Sequence, residues 1–164
     1  MIYDLIDNAL SDEMHKEIYD TMYSDIFPWH FVPDITHKNK YIDNLFYMTH
    51  NFYSMNRPQS IFFDQWFSYF ENVLGCEQMI RMKGNLYPSQ KQLSKHPQHI
   101  DLPQIKSTAA IYYINDNDGA TIINKKRIKS VANRLVIFDG HTKHSSTDCT
   151  DTQARMNINF NYIK

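Results

Sequence analysis

His99-Ile100-Asp101, set inside Lys95-His96-Pro97-Gln98-His99-Ile100-Asp101-Leu102-Pro103, is the stretch whose reading decides the fold of this chain. On an extended strand, side chains two apart point to the same side, so His99 and Asp101 aim at one point. A second histidine from a later strand would close one face of an octahedron and leave the opposite face open, an arrangement that suits a single iron ion. His144 is the candidate, 43 residues after Asp101. That gap has room for four or five short strands, so the two halves of the site can meet across a barrel.

The C-terminal run, Arg155-Met156-Asn157-Ile158-Asn159-Phe160-Asn161-Tyr162, adds an independent observation. Met156, Ile158, Phe160 and Tyr162 share one face of a strand, and Arg155, Asn157, Asn159 and Asn161 the other. Water on one side produces this pattern trivially. A pocket for a dicarboxylate produces it too, because a guanidinium pairs with a carboxylate through two hydrogen bonds and keeps its charge when desolvated. An isolated His-x-Asp is weak. Followed by strands, then a histidine, then an arginine on the terminal strand, it favours the pocket.

Between these points the chain alternates with period two. Met79–Tyr87, Ser107–Asn115, Thr121–Asn124, Ile128–Val131, Arg134–Phe138 and Ala154–Ile163 read as strands, separated by turns such as Asn115-Asp116-Asn117-Asp118-Gly119. Short strands at this spacing predict a sandwich or barrel. The N-terminal part reads differently. Met1–Ile6 predicts an edge strand. Ser11 predicts the cap of a helix carrying Met14, Ile18, Tyr19 and Met22. Trp29–Thr49 reads as loop with one short helix. Pro58–Leu74 predicts an amphipathic helix stopped by Gly75.

At 164 residues the chain suits one domain, with residues 1–75 as helical support and cover and 76–164 as the β core. Apolar residues make up 42% and aromatics 14%, enough for a packed core. The net charge of −1, from 17 basic and 18 acidic residues, argues against nucleic acid as a partner. Cys76 and Cys149 are far apart, so no disulfide framework is expected and a reducing cytoplasm is the simpler setting. Met1–Asn8 has no basic segment of a signal peptide, and no apolar run reaches the length of a membrane span. Lys125-Lys126-Arg127 with Lys129 reads as a solvated hairpin tip.

In order and spacing, His99-x-Asp101, His144 and Arg155 resemble the Fe(II)/2-oxoglutarate-dependent dioxygenases, in their prolyl 4-hydroxylase-like branch. The resemblance covers about half the chain and extends to GNLYP (84–88), AAIYYIN (109–115), NRLVIFDG (133–140) and RMNINFNY (155–162). It implies a double-stranded β-helix (jelly-roll or cupin-like) core with supporting amphipathic helices. It implies Fe(II) held by His99, Asp101 and His144, and 2-oxoglutarate anchored by Arg155, with Tyr87, Tyr113 and Asn159 nearby. The implied activity is O2-dependent hydroxylation of a small molecule or peptide, such as a prolyl residue, with succinate and carbon dioxide as co-products. Asn157 is a departure, since some relatives carry Ser or Thr two residues after the arginine.

Other assignments remain open at this point. His96 and His141 each lie three residues before a candidate ligand, so a four-histidine zinc site with His99 and His144 is conceivable. Residues three apart on a strand face opposite sides, which makes His96 and His141 better rim residues. Asp139 reads as a turn carboxylate, Cys149 as a buried small residue, and Trp29 and Trp66 as packing. His15, His30, His37 and His50 have no positional argument. A non-catalytic jelly-roll module and a metal barrel without 2-oxoglutarate chemistry are the alternatives to an enzyme.

Overall fold

The computed structural model describes residues 3–33 and 45–164. His37 lies outside the described residues, as do Met1 and Ile2 of the expected edge strand and the middle of the Trp29–Thr49 stretch. In chain order the elements are β1 (Tyr3–Ile6), α1 (Asp12–Met22), β2 (His30–Val32), β3 (Tyr47–Ser54), β4 (Arg57–Pro58) and α2 (Phe63–Leu74). There follow β5 (Gln78–Pro88), β6 (Thr108–Tyr113), β7 (Ala120–Ile123), β8 (Lys126–Lys129), β9 (Arg134–Asp139), β10 (His144–Ser146) and β11 (Ala154–Ile163).

The helices start and stop where local chemistry dictates. The Ser11 hydroxyl accepts from the Met14 amide at 3.3 Å, capping α1. Gly75 ends α2 in the left-handed region, φ 60°, where a Cβ would be strained. Phe63, Trp66, Phe70 and Leu74 form the buried stripe of α2. Glu17 ties the helices together: its carboxylate accepts from Trp66 Nε1, Tyr69 Oη and Gln65 Nε2.

Strands β1-β9-β6-β11-β5-β3-β2 form the large antiparallel sheet in that order, with β4 paired to β3; β10-β7-β8 form the small one. The outer face of the large sheet carries the main core. Ile18, Met22, Trp66 and Phe70 of the helices pack there against Met82, Tyr112, Ile137, Met156, Ile158 and Phe160. A second apolar cluster lies between the sheets: Ala109, Ile111, Tyr113, Val136 and Phe138 meet Ile123 and Ile128. Alternation on each strand thus buries both faces, as in a double-stranded β-helix.

Two expectations for the N-terminal part are corrected. The described ends of Trp29–Thr49 are strands rather than loop, and β3 lies inside the large sheet. Helix α2 begins at Phe63 because Arg57-Pro58 pairs back onto Tyr53-Ser54. The tight turn between them uses Met55 and Asn56 at φ 53° and 57°, a left-handed pair that Met-Asn does not advertise. The basic cluster is exposed at the β7–β8 hairpin as expected.

Candidate metal centre and anion pocket

The His99-x-Asp101 segment is not a regular strand. Pro97 and Pro103 flank it, and neither can donate to a ladder. Only His99 pairs, as an isolated bridge to His144. The convergence expected from period two is reached instead by that bridge and by a bend at Asp101. One ligand atom from each of His99, Asp101 and His144 lies within 4.8 Å of the other two. This cluster includes neither His96 nor His141.

The hydrogen bonds around the imidazoles determine what those atoms can do. His99 Nδ1 lies 3.3 Å from the Pro97 carbonyl and His144 Nδ1 3.0 Å from the Thr142 carbonyl. A carbonyl only accepts, so each Nδ1 carries a proton, and in the neutral imidazole each Nε2 then presents its lone pair. His99 Nε2 is 3.5 Å from Asp101 Oδ1. Burial keeps the His144 imidazole below its ordinary pKa, against the pull of Asp101. Burial alone would raise the Asp101 carboxyl, but the Arg81 charge beside it acts the other way and the group is held well below the usual carboxylate range. Two lone pairs and an anion thus face one another, a donor set that needs a cation between them and fits a divalent metal.

Asp101 is held by residues with no signature in the sequence. Arg81 Nη2 lies 3.0 Å from Asp101 Oδ1. Arg81 Nε donates to Asn161 Oδ1 at 3.0 Å, and Asn161 Nδ2 reaches Asp101 Oδ2 at 3.4 Å. Arg81 sits opposite Asn161 in the β5–β11 ladder, so the register brings them together. The polar alternation of β5 (Arg81, Lys83, Asn85, Tyr87) was the available signal.

Arg155 is 0% exposed. Its Nε donates to Ser130 Oγ at 2.8 Å and its Nη2 to Thr121 Oγ1 at 3.1 Å, while Nη1 has no partner and, among the described residues, no carboxylate pairs with it. The rings of Tyr87 and Tyr113 lie 5.5 and 5.6 Å from its guanidinium carbon. Gly119 makes the seat possible: a Cβ there would come within 2.6 Å of Arg155 Cδ and 2.5 Å of the Asp148 carbonyl. A buried guanidinium with a spare donor beside the buried, unpartnered Tyr113 hydroxyl fits an oxyanion.

His99, His144 and Arg155 share one pocket, lined also by Tyr87, Ile111, Thr121, Ser146, Asn157 and Asn159 and spanning about 260 Å³ with its open mouth included. The polar face of β11 is therefore an interior face: Arg155, Asn157 and Asn161 are all buried. His96 is corrected from rim to interior. It is 2% exposed, lies against the Tyr87 ring, and contacts Ser146 Oγ through Nδ1 at 2.7 Å. His141 is exposed, as a rim residue would be.

No family model and no curated protein matches the sequence. Solved structures match the fold. A Pseudomonas putida prolyl-4-hydroxylase is similar at TM-score 0.71 and 12% identity, over 99% of this chain and 93% of its own. A Trichoplax adhaerens prolyl hydroxylase, in complex with a hypoxia inducible factor oxygen degradation domain peptide fragment, is similar at TM-score 0.68 and 14% identity, over 99% and 83%. The epimerase SnoN, in complex with Fe3+, alpha ketoglutarate and nogalamycin RO, is similar at TM-score 0.68 and 10% identity, over 99% and 79%. What the chain shares with these proteins at such identities is architecture: it has the double-stranded β-helix fold of the 2-oxoglutarate/Fe(II) oxygenases.

Proposed function

We propose that this protein is an Fe(II)- and 2-oxoglutarate-dependent oxygenase in which His99, Asp101 and His144 hold the metal and Arg155 anchors the co-substrate. The observation that carries the reading is the pairing of three ligand atoms within 4.8 Å of one another with a fully buried arginine that, among the described residues, lacks a carboxylate partner and shares a pocket with His99 and His144. Iron and 2-oxoglutarate, when bound, would supply the oxidising chemistry with O2 as the oxidant, one oxygen atom going to the substrate and one to succinate, with carbon dioxide released. The chain's own residues bind and orient. Pro97 and Thr142 carbonyls keep both imidazoles in the ligating tautomer. Arg81 and Asn161 aim the Asp101 carboxylate and keep it ionised. Arg155 takes the far carboxylate of the diacid, with Tyr113 donating its hydroxyl and Tyr87 and Asn159 lining the passage. The apolar wall of Ile111 limits water beside the reacting groups.

Hydroxylation is the reaction class we assign, with a prolyl residue in a peptide as the substrate suggested by the prolyl hydroxylase likenesses. The test is anaerobic addition of Fe(II) and 2-oxoglutarate. A weak visible charge-transfer band of the chelate is expected. A metal barrel without this chemistry would bind the ion and show no band, and a binding module would do neither.

A further inference from the structure

Lys83 lies on the cavity side of β5, opposite Asn159 of β11 on one flank and Asn51 of β3 on the other. Tyr87 lies four positions further along β5, so Lys83 stands about 13 Å along the strand from the Arg155 end. The two ends differ in access. At the Arg155 end, Tyr87, Thr121, Ser130 and Arg155 are all buried. At the Lys83 end, Asn51 is exposed and Thr49 and Asn159 are half-buried, so this is the mouth.

The ammonium of Lys83 lies 5.6 Å from the centroid of the Tyr47 ring, and among the described residues it has no hydrogen bond or ion pair. Among the described residues the nearby carboxylate is Asp101, and it is engaged by Arg81. Burial, then the Arg81 charge, lowers the Lys83 ammonium to about 8, with Asp101 pulling the other way. The cavity-facing positions of β3, β5, β6, β7, β10 and β11 carry no acid at all. Among the described residues Arg81, Lys83 and Arg155 therefore outnumber the carboxylate of Asp101. Binding a divalent metal together with a doubly charged diacid leaves that positive excess unchanged. An uncompensated cation beside a low-dielectric cavity is unfavourable unless an anion joins it.

We infer that Lys83 is the substrate's anchor, and that the substrate presents an oxyanion, a carboxylate or a phosphate-like group, at the mouth of the cavity. This rests on the oxygenase reading and assigns the charge of its second ligand. Lys83 takes the oxyanion, Tyr47 backs the lysine, and Asn159 and Asn51 flank it with amides. Arg155 remains free for the co-substrate at the closed end.

The test is calorimetric titration of acetate and of sulfate into protein loaded with Fe(II) and 2-oxoglutarate without oxygen, in parallel with metal-free protein. Saturable binding of at least one anion is expected, weakened about tenfold or more in Lys83→Met and restored in Lys83→Arg. Acetate binding more tightly indicates a carboxylate-bearing substrate, sulfate a doubly charged one. No saturable binding, or binding indifferent to Lys83→Met, overturns the inference. So does Lys83→Met weakening 2-oxoglutarate, since that would place the co-substrate on this lysine. If the charge-transfer band never forms while sulfate or acetate still binds through Lys83 in metal-free protein, the oxygenase reading fails and the anion site stands.

Discussion

His99 and His144 exchange both of their backbone hydrogen bonds, His99 N to His144 O at 2.9 Å and His144 N to His99 O at 3.1 Å. The bridge is one residue pair long, yet it fastens the loop after β5 to the first residue of β10. It sets the two imidazole rings 4.6 Å apart, centroid to centroid, and so brings together two of the three donors.

Removal of a donor is expected to abolish metal binding and leave the fold intact. His99→Ala, Asp101→Ala and His144→Ala should each weaken Fe(II) or Mn(II) by at least about a hundredfold, since loss of mere supporting contacts already costs 10–100-fold. The far-ultraviolet spectrum should be unchanged. Wild-type metal affinity in all three would remove the cluster from its assigned role.

Arg155→Met should raise the 2-oxoglutarate concentration needed for half-saturation about tenfold or more, the worth of a charge-assisted pair. Metal affinity should hold, because Arg155 is not among the clustered donors. Titration of the charge-transfer band reads both constants. An unaltered 2-oxoglutarate dependence would contradict the anchor.

Acid should act through His96. Burial, reinforced by the Arg155 charge, pushes this imidazole down to about 3. The unfolded chain then binds its proton first, near the ordinary value of about 6.5. Stability contributed by the neutral form is present above that value and is lost as pH falls from there toward 3. His96→Phe should flatten the melting-temperature profile over this window; an identical acid limb in the variant would count against it.

The Lys83 site should have an alkaline limit. Its lowered pKa leaves the ammonium charged below about pH 8 and neutral above. Among the described residues Arg81 and Asp101 face it, and Tyr47 stacks beside it. Anion affinity should therefore fall between about pH 8 and 9.5 in wild type and stay level in Lys83→Arg, whose guanidinium does not titrate there. A flat wild-type profile would mean that another group holds the anion.

Glu17→Ala should cost about 1–3 kcal/mol in urea unfolding, because Trp66 is fully buried and its indole N–H would lose its acceptor. Metal binding should be unaffected, since α1 and α2 pack on the outer face of the large sheet. A loss below a few tenths would show that water replaces the carboxylate.

The sequence by itself determined the strand-rich C-terminal half, the Ser11 and Gly75 helix ends, and the identity of the clustered triad and of Arg155. Those are short-range matters: period-two alternation, caps and turn residues act within a few positions of themselves. Only the tertiary structure decided that the polar face of β11 is an interior wall, that β3 belongs to the large sheet, that His96 is buried, and that Arg81 and Asn161 aim Asp101. Each depends on pairing or packing between segments up to 80 residues apart, which is set by which whole faces meet, a choice that alternation permits on either side and that no local pattern can make.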